Sequence, residues 1–402
     1  MATPDPTFTR RFPDGFTWGT ATAAHQIEGG NANNDWWEFE HSPGTICAES
    51  SGDACDSWDR WPLDTALVQS LGLDNYRFSV EWSRIEPADG EISRAALDHY
   101  RRICGDLRDR GIDPVVTFHH FTTPTWLTAQ GGWESGVAVD RFGRFAEMVA
   151  GALGDMMSRA CTINEPNIVA VMGWHAGMFP PGKTDKEVSR QVAQNLIAGH
   201  RRAVTAIREA APSIPVGLTL SMTDYQPLEG GHDTLESIRH HAEDIYLDAT
   251  EGDDFLGVQV YTRNLIGPNG WAGGEPGVPM LDMGYEFYPR SLANCLRRAW
   301  DYTGGSLPLL VTENGIGTTD DDQRIAYVHQ ALEGVLDVIG EGIDVRGYTY
   351  WSLLDNFEWA FGYRPRFGLV TVDRQTFART PKSSAAWFAS VVAANALPTR
   401  TT

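Results

Sequence analysis

Eight continuous apolar segments, separated by segments of a different periodicity, run along this chain. Their apolar residues are consecutive and do not alternate with polar ones, which is typical of parallel strands buried on both faces. Parallel neighbours need a crossover on every connection, and eight such units are enough to close a sheet into a barrel. The predicted strands are Phe16–Ala24, Asn75–Trp82, Pro114–His120, Cys161–Asn164, Pro215–Ser221, Phe255–Tyr261, Leu309–Glu313 and Val345–Ser352.

The segments between the strands carry apolar residues at spacings of three and four, which indicates helices with one buried face. Gly72 and Gly111 stand where helices commonly end, directly after Leu71 and Arg110. The predicted helices are Leu63–Leu71, Arg94–Arg110, Asp140–Leu153, Lys186–Ala211, Thr234–Asp248, Arg290–Thr303 and Asp321–Ile339.

This order predicts an α/β fold, a single (β/α)8 TIM barrel over residues 1–402 with its active site at the C-terminal ends of the strands. Residues 1–11 are predicted to form a short N-terminal extension and 394–402 a frayed tail. Residues 267–282, rich in Gly and Pro, are expected to form the longest irregular loop, on the active-site face. The alternative is an open doubly wound sheet, which is disfavoured because no GxGxxG motif follows the first strand.

Polar side chains gather at the C-terminal ends of the predicted strands. In a barrel these ends share one face, and functional residues come from several of them. The residues concerned are His25, Gln26, Arg77, His119, His120, Asn164, Glu165, Gln259, Tyr261, Glu313, Asn314 and Trp351.

Two glutamates, Glu165 and Glu313, follow apolar strands in this way. A carboxylate buried without partners costs several kcal/mol or shifts its pKa, so such residues need a role. Two carboxyl groups that face one another across a pocket are the groups that cleave a glycosidic bond.

Five motifs then occur in a fixed order. They are Phe16-Thr17-Trp18-Gly19-Thr20-Ala21 with Gln26-Ile27-Glu28-Gly29, Asn75-Tyr76-Arg77-Phe78-Ser79-Val80-Glu81-Trp82-Ser83-Arg84, Thr162-Ile163-Asn164-Glu165-Pro166, Thr312-Glu313-Asn314-Gly315, and Trp351-Ser352-Leu353-Leu354-Asp355-Asn356-Phe357-Glu358-Trp359. With these motifs the chain resembles glycoside hydrolase family 1, the β-glucosidase family, from about Phe12 to Phe388.

The resemblance implies a retaining β-glycosidase with Glu313 as nucleophile and Glu165 as acid/base. A retaining enzyme needs the two carboxyl groups about 5–5.5 Å apart, one ionised and one protonated. Arg77 and Tyr261 would support Glu313, and Asn164 would donate to the sugar 2-OH. A structural ion pair in the barrel core is the alternative for Arg77.

The resemblance also implies the sugar contacts. Gln26, His120 and Glu358 would bind hydroxyls, while Trp351 would lie against the ring and Trp359 would donate its indole N–H. Because relatives that cut 6-phosphoglycosides usually carry serine in place of Glu358, the carboxylate predicts unphosphorylated glycosides.

Three features depart from the family pattern. Phe121 follows His120 where the family usually has tryptophan, and Gln259-Val260-Tyr261 stands for the usual Asn-Tyr-Tyr. Phe121 and Gln259 are both expected at the substrate and leave the preferred sugar open. At 402 residues the chain is also short for the family, which predicts trimmed loops and a wider entrance.

Composition narrows the partners. With 32 basic and 53 acidic residues the net charge is −21, which argues against nucleic acid. Scattered cysteines, five in number, predict free thiols in a reducing compartment. With neither a signal-like start nor a membrane-length apolar run, a cytoplasmic protein is expected.

Cofactor chemistry is not implied, because two carboxylates suffice. Metal is not expected either, since His119 and His120 point to opposite faces of a strand. The expected partner is a small-molecule β-glycoside or disaccharide, and homo-oligomer formation stays open. A transglycosidase with the same site and a sugar-binding protein without catalysis are the alternative functions.

Overall fold

The eight predicted strands form a closed parallel barrel in the computed structural model, which describes residues 8–399. Neighbouring strands follow chain order, and the last strand pairs with the first, with Tyr348 beside Trp18. This pairing excludes the open doubly wound sheet. The barrel strands, numbered β1 to β8, are Thr17–Ala21, Asn75–Ser79, Asp113–His119, Arg159–Asn164, Val216–Ser221, Phe255–Gln259, Leu309–Asn314 and Val345–Trp351.

A helix follows each strand and covers the outside of the barrel. All seven predicted helices are present, and Gly72 and Gly111 adopt the left-handed backbone just past two of them. The first helix starts at Ser57, before Pro62, and not at the predicted Leu63. The helices, α1 to α8, are Ser57–Ser70, Arg94–Asp109, Val137–Leu153, Lys186–Ala210, His232–Arg239 (continued by turns to Leu247), Arg290–Tyr302, Asp321–Gly340 and Ser383–Ala394.

Helix α8 was not predicted, because apolar residues lie on all its sides and leave no helical periodicity. It packs under the barrel through Phe388, whose ring lies 5.9 Å from that of Trp18 and 6.1 Å from that of Tyr348.

The predicted frayed tail is wrong for residues 396–398. Ala396–Pro398 forms a strand that pairs antiparallel with Phe8–Arg11, and Ala396 and Leu397 are buried. The N-terminal segment is therefore tied to the C-terminal one across the bottom of the barrel. Residues 1–7 and 400–402 of the two predicted ends lie outside the described residues.

The loop after β6 is less irregular than predicted. Arg263–Gly267 pairs with Gly270–Trp271 and with Asp224–Pro227, so its first part belongs to a three-stranded sheet beside the barrel mouth. A two-stranded sheet, Val370–Val372 with Arg379–Pro381, leads into α8.

Short helical turns complete the loops between the main elements. None of the described helices has the length and apolar character that crossing a membrane requires. The five cysteines all lie among the described residues and all are free, as predicted. The short elements are Ala24–Ile27, Asp35–Glu40, Trp82–Ile85, Thr125–Thr128, Gly132–Glu134, Pro166–Ala170, Val171–His175, Asp248–Thr250 and Trp359–Phe361.

Candidate active site

Glu165 and Glu313 line one cleft of about 170 Å³ at the C-terminal ends of the barrel strands. Glu313 is the last residue but one of β7, and Glu165 directly follows β4, so the two come from strands that are separated by β5 and β6 around the barrel mouth. Glu165 has a left-handed backbone, with φ 46°, which turns the chain sharply from β4 into the helix Pro166–Ala170. Both carboxyl groups are buried, as the strand-end pattern predicts.

The Glu313 carboxylate is held by two donors. Arg77 Nη1 donates to Oε1 over 2.6 Å, and the Tyr261 hydroxyl donates to Oε2 over 2.5 Å. Burial raises the pKa of Glu313 above its usual range, and the charge of Arg77 and both hydrogen bonds offset that rise only in part. Burial and the same carboxylate keep the pKa of the Tyr261 hydroxyl well above its usual range, so Tyr261 remains a donor.

Arg77 lies in the middle of β2 and not at its end, where it was predicted. Arg77 is 1% exposed, and its long side chain reaches through the barrel interior beneath the cleft to strands that are not its neighbours. Besides Glu313 on β7 it contacts Asn164 Oδ1 on β4 at 2.5 Å and the Thr219 hydroxyl on β5 at 3.2 Å. Arg77 is therefore both a core ion pair and the cation that faces Glu313.

Among residues 8–399, no cation lies within hydrogen-bonding distance of Glu165. Burial, and next the charge of Glu313, raise the pKa of Glu165 to about 8. Hydrogen bonds from Gln259 and Ser221 act in the opposite direction but do not cancel these effects. The two glutamates thus have different surroundings, one facing an arginine and one protonated at neutral pH.

Gln259 lies beneath the cleft and does not contact it, contrary to its predicted place at the sugar. Its Nε2 donates to Glu165 Oε1 over 2.8 Å, and its Oε1 accepts from the Thr312 hydroxyl over 3.1 Å. Gln259 ends β6, so its side chain must pass the end of β5 to reach Glu165.

The remaining predicted polar residues surround the inner end of the cleft. Gln26 Nε2 donates to the Phe357 carbonyl over 2.8 Å and lies 3.5 Å from Glu358 Oε2. Asn164 Nδ2 lies 3.2 Å from His120 Nε2, and burial holds the pKa of His120 well below its usual range. The imidazole is therefore neutral and accepts from the amide.

Two polar atoms of these residues are buried without a hydrogen-bond partner among the described residues. They are Gln26 Oε1 and His120 Nδ1, and both residues line the cleft. An acceptor and an N–H donor left open beside a polar cleft are what a sugar hydroxyl would satisfy.

Aromatic rings form the wall of the inner cleft. The ring of Trp351 lies 5.9 Å from that of His120 at an interplanar angle of 20°, and Trp359 stacks on His25 at 5.7 Å. Phe121 fills the space beside Trp359, with ring centroids 5.0 Å apart. Phe121 and both tryptophans line the cleft as predicted.

His119 points away from the cleft, as strand alternation predicts. Its ring packs edge-on against Trp133 and Phe142, on the helix side of β3. Residues 8–399 contain no group of three or more His, Cys, Asp or Glu side chains arranged to hold a metal ion.

Sequence reasoning missed the outer cleft. Most residues of the outer cleft lie in loops or short turns, where no periodicity identifies which side chain faces inward. Ser221 alone could have been found, as the last residue of a predicted strand. The missed residues are Ile168, Met172, Phe179, Ser221, Met283, Tyr285, Phe361 and Phe367.

Burial of Glu165 makes stability depend on pH. With a folded pKa of about 8 against about 4.5 unfolded, the folded state binds more protons between these values, so stability falls as pH rises. We expect Glu165→Gln to abolish this contribution and to melt several degrees above the wild type at pH 9. The difference should shrink towards pH 5, and a pH-independent difference in thermal melting would contradict the assignment.

A closed (β/α)8 barrel with two buried glutamates in one cleft at the strand ends is the arrangement of a glycoside hydrolase. Comparison with known proteins agrees. The model of the family described as Glycosyl hydrolase family 1 matches residues 8–254 and 261–397. The unmatched segment between these two ranges, residues 255–260, includes Gln259.

Curated relatives match nearly the whole of this chain and nearly the whole of their own length. Beta-glucosidase A of Thermotoga maritima is 31% identical over 442 residues, which cover 96% of this chain and 99% of the relative. A bifunctional beta-D-glucosidase/beta-D-fucosidase of Bifidobacterium breve is 32% identical over 454 residues, covering 95% and 98%.

Solved structures give the same result. The beta-glycosidase BGL167 superposes with a TM-score of 0.90 at 43% identity, covering 97% of this chain and 99% of that one. A beta-glycosidase from Pyrococcus horikoshii has a TM-score of 0.91 at 34% identity, covering 97% and 96%. The chain belongs to glycosyl hydrolase family 1 and is a glycoside hydrolase of the β-glycosidase type.

Proposed function

We propose that this chain is a retaining, exo-acting β-glycosidase whose one catalytic domain hydrolyses unphosphorylated β-D-glycosides. The observation that carries the proposal is the difference between the two glutamates of one cleft. Glu313 faces Arg77 and Tyr261, which favour its carboxylate, whereas the pKa of Glu165 is raised to about 8. These are the states that a nucleophile and a general acid require.

In the first step, Glu313 attacks the anomeric carbon while Glu165 gives its proton to the glycosidic oxygen. The aglycone leaves, and the sugar is bonded to Glu313. In this intermediate the charge of Glu313 is gone, so one cause of the raised Glu165 pKa disappears. Glu165 can then take a proton from water. The water attacks the anomeric carbon from the side that the aglycone left, breaks the bond to Glu313 and releases the sugar with retained configuration.

The sugar whose glycosidic bond is cleaved is proposed to lie between the polar side chains of the inner cleft and its two tryptophans. Gln26 and His120 offer an open acceptor and an open donor, Glu358 contributes its carboxyl group, and Trp351 offers an apolar face. Asn164 is placed by Arg77 and His120 to reach the 2-OH. Thermotoga maritima beta-glucosidase was solved with deoxynojirimycin, which is consistent with a polar inner site of this kind in the family.

Unphosphorylated substrates are favoured by the charges of the cleft. The described residues that line it include three glutamates and no lysine or arginine. A phosphate would find no cation and would lie close to carboxyl groups.

Five free cysteines are typical of a protein in a reducing compartment. On that ground we extend the proposal to a cytoplasmic enzyme. The transglycosidase alternative is less favoured, since the relatives found carry names of glycosidases. Product analysis with an added alcohol separates transfer from hydrolysis.

The stereochemical course tests the proposal. Proton NMR of a β-glycoside digest should show the β-anomer of the sugar first, before mutarotation. A 2-deoxy-2-fluoro glycoside with a good leaving group should label the peptide that contains Glu313. If the α-anomer appears first, water attacks directly and Glu313 is not a nucleophile.

Gln259 is expected to set the alkaline limb of the rate profile. Its amide favours ionised Glu165, so Gln259→Leu should raise the pKa of Glu165 and move the alkaline limb of kcat/KM upwards by about one unit, the effect of one hydrogen bond to a charged group. A structural role alone would lower activity equally at all pH values.

Gln259→Asn provides the matched control. It keeps the amide and has the residue type usual in the family, so its alkaline limb should lie nearer to that of the wild type than the limb of Gln259→Leu. If both variants show the wild-type profile, Gln259 does not act through Glu165.

A further inference from the structure

The outer half of the cleft differs in chemistry from the inner half. Its side chains are half-buried and mostly apolar, whereas the polar side chains near the strand ends, such as Gln26 and Asn164, are almost fully buried. A polar floor therefore opens into an apolar rim. The rim consists of Ile168, Met172, Phe179, Met283, Tyr285 and Phe361.

One side of the rim is a short hairpin between β6 and α6. Leu281 N–H donates to the Tyr285 carbonyl over 2.7 Å, and Gly284 N–H donates to the Leu281 carbonyl over 2.9 Å. Met283 at its tip packs with the apolar cluster that contains Trp351, at the cleft wall. The hairpin thus brings apolar atoms next to the proposed sugar position.

A buried ion pair holds this hairpin in place. Arg263 Nε donates to Glu286 Oε2 over 2.5 Å, and both side chains are less than one-tenth exposed. Because Glu286 lies next to Tyr285, the pair anchors the rim to the strand Arg263–Gly267. The rim is therefore formed before any substrate arrives, and its ordering cost is small.

The opposite side of the rim is aromatic. The ring of Phe179 lies 4.7 Å from Trp36 and 5.3 Å from Phe121. Phe121 stands where the family usually has tryptophan, so a ring N–H is replaced here by carbon. Ile168 and Met172, on the turns after Glu165, continue this surface.

Few polar groups remain for an aglycone. The side chains of the outer cleft offer the hydroxyls of Ser221 and Tyr285, and the Ser221 hydroxyl is already bonded to Glu165. A second pyranose would bury several hydroxyls against this wall, and each unpaired one costs free energy. An alkyl or aryl group has no such cost and gains from burial.

We propose that this enzyme selects β-glycosides with an apolar aglycone over disaccharides. The inference rests on the proposed function, since it places the leaving group beside Glu165. Two methionines, Met172 and Met283, suit aglycones of varied shape, because their side chains are flexible and polarisable.

An alkyl series tests the proposal with a nearly constant leaving group. We would measure kcat/KM for methyl, butyl and hexyl β-glycosides, for cellobiose, and for the glycosyl fluoride, which has no aglycone to bind. The sugar of the series is the one whose nitrophenyl glycoside reacts fastest. We expect at least a roughly 10-fold rise from methyl to hexyl, the effect of about two buried methylenes, and hexyl above cellobiose.

Variants locate the effect at the rim. Met172→Gln keeps the length of the side chain and adds polarity. The ratio of kcat/KM for the hexyl glycoside to kcat/KM for the glycosyl fluoride should therefore fall several-fold. Met280→Gln is the matched control, since Met280 belongs to the hairpin that carries Met283 but is 51% exposed and does not line the cleft. Its ratio should equal that of the wild type.

The outcomes distinguish failure of the apolar aglycone site from failure of the proposed glycosidase function. If the fluoride is hydrolysed but the alkyl series is flat, or cellobiose exceeds the hexyl glycoside, the apolar aglycone site is wrong and the glycosidase stands. If neither the fluoride nor any nitrophenyl glycoside reacts, the proposed function itself fails.

Discussion

Glu313→Gln is expected to lower kcat for an aryl β-glycoside by about 10⁵-fold, the scale seen when the nucleophile of a covalent mechanism is removed. The amide has almost the same shape but cannot form the glycosyl-enzyme. Arg77 and Tyr261 would lose the carboxylate to which both donate. Stopped-flow or end-point release of nitrophenol measures the effect.

A small nucleophile distinguishes this loss from misfolding. In Glu313→Ala, azide can occupy the space of the carboxylate, and we expect it to restore turnover and to yield the α-glycosyl azide. The control is Asp64→Asn, which breaks another buried carboxylate–arginine pair, 2.9 Å from Arg379 and outside the cleft. Folded Asp64→Asn should keep its rate, and an unimpaired Glu313→Gln would end the assignment.

Glu165→Ala is expected to lower kcat/KM for glycosides with poor leaving groups by about 10²–10⁴-fold, the range of general acid catalysis. Alkyl glycosides need protonation of the leaving oxygen, whereas a dinitrophenolate leaves without it. We therefore expect dinitrophenyl glycosides to keep a rapid first step and to accumulate the glycosyl-enzyme, which appears as a burst.

The pH profile identifies the same residue. Glu165 acts as an acid only while protonated, so wild-type kcat/KM should fall as pH rises through its pKa of about 8. This limb should vanish in Glu165→Ala with a dinitrophenyl substrate, and azide should restore turnover with the β-glycosyl azide as product. An equal loss for alkyl and dinitrophenyl glycosides would show that Glu165 has another role.

The two variants also differ in azide product, α for Glu313→Ala and β for Glu165→Ala. The reason is geometric, because azide enters from the side on which the carboxyl group was removed. A swap of the two products would exchange the assigned roles, whereas the same anomer from both would exclude a retaining pair.

The barrel was predictable because its signals are local. Each strand is a short apolar run that stays buried on both faces, and all eight predicted runs are barrel strands. Helix α8 and the strand Ala396–Pro398 were missed for the opposite reason. Their residues are buried on several sides, and their partners, Phe8–Arg11 among them, lie hundreds of residues away.

The inner site was predictable to the same degree. A polar residue that directly follows an apolar strand stands out in any sequence, which is how Glu165 and Glu313 are found, and the family motifs then add Gln26, Glu358 and Trp359. The rim of the cleft has no such signal. Its residues lie in loops without hydrophobic periodicity, and nothing in the sequence around Met283 indicates that its side chain lines the cleft.

Continuous apolar runs and the order of residues along the chain were enough to predict the barrel, the face that carries the site and the two glutamates on that face. Which atoms meet depended on folding. Arg77 crosses the barrel to Glu313, Gln259 passes β5 to reach Glu165, and a hairpin sets Met283 beside Trp351. An apolar run is a pattern of near neighbours in the chain and can be recognised from the sequence. Each of these contacts joins residues that are distant in sequence, and only the closed barrel brings them together.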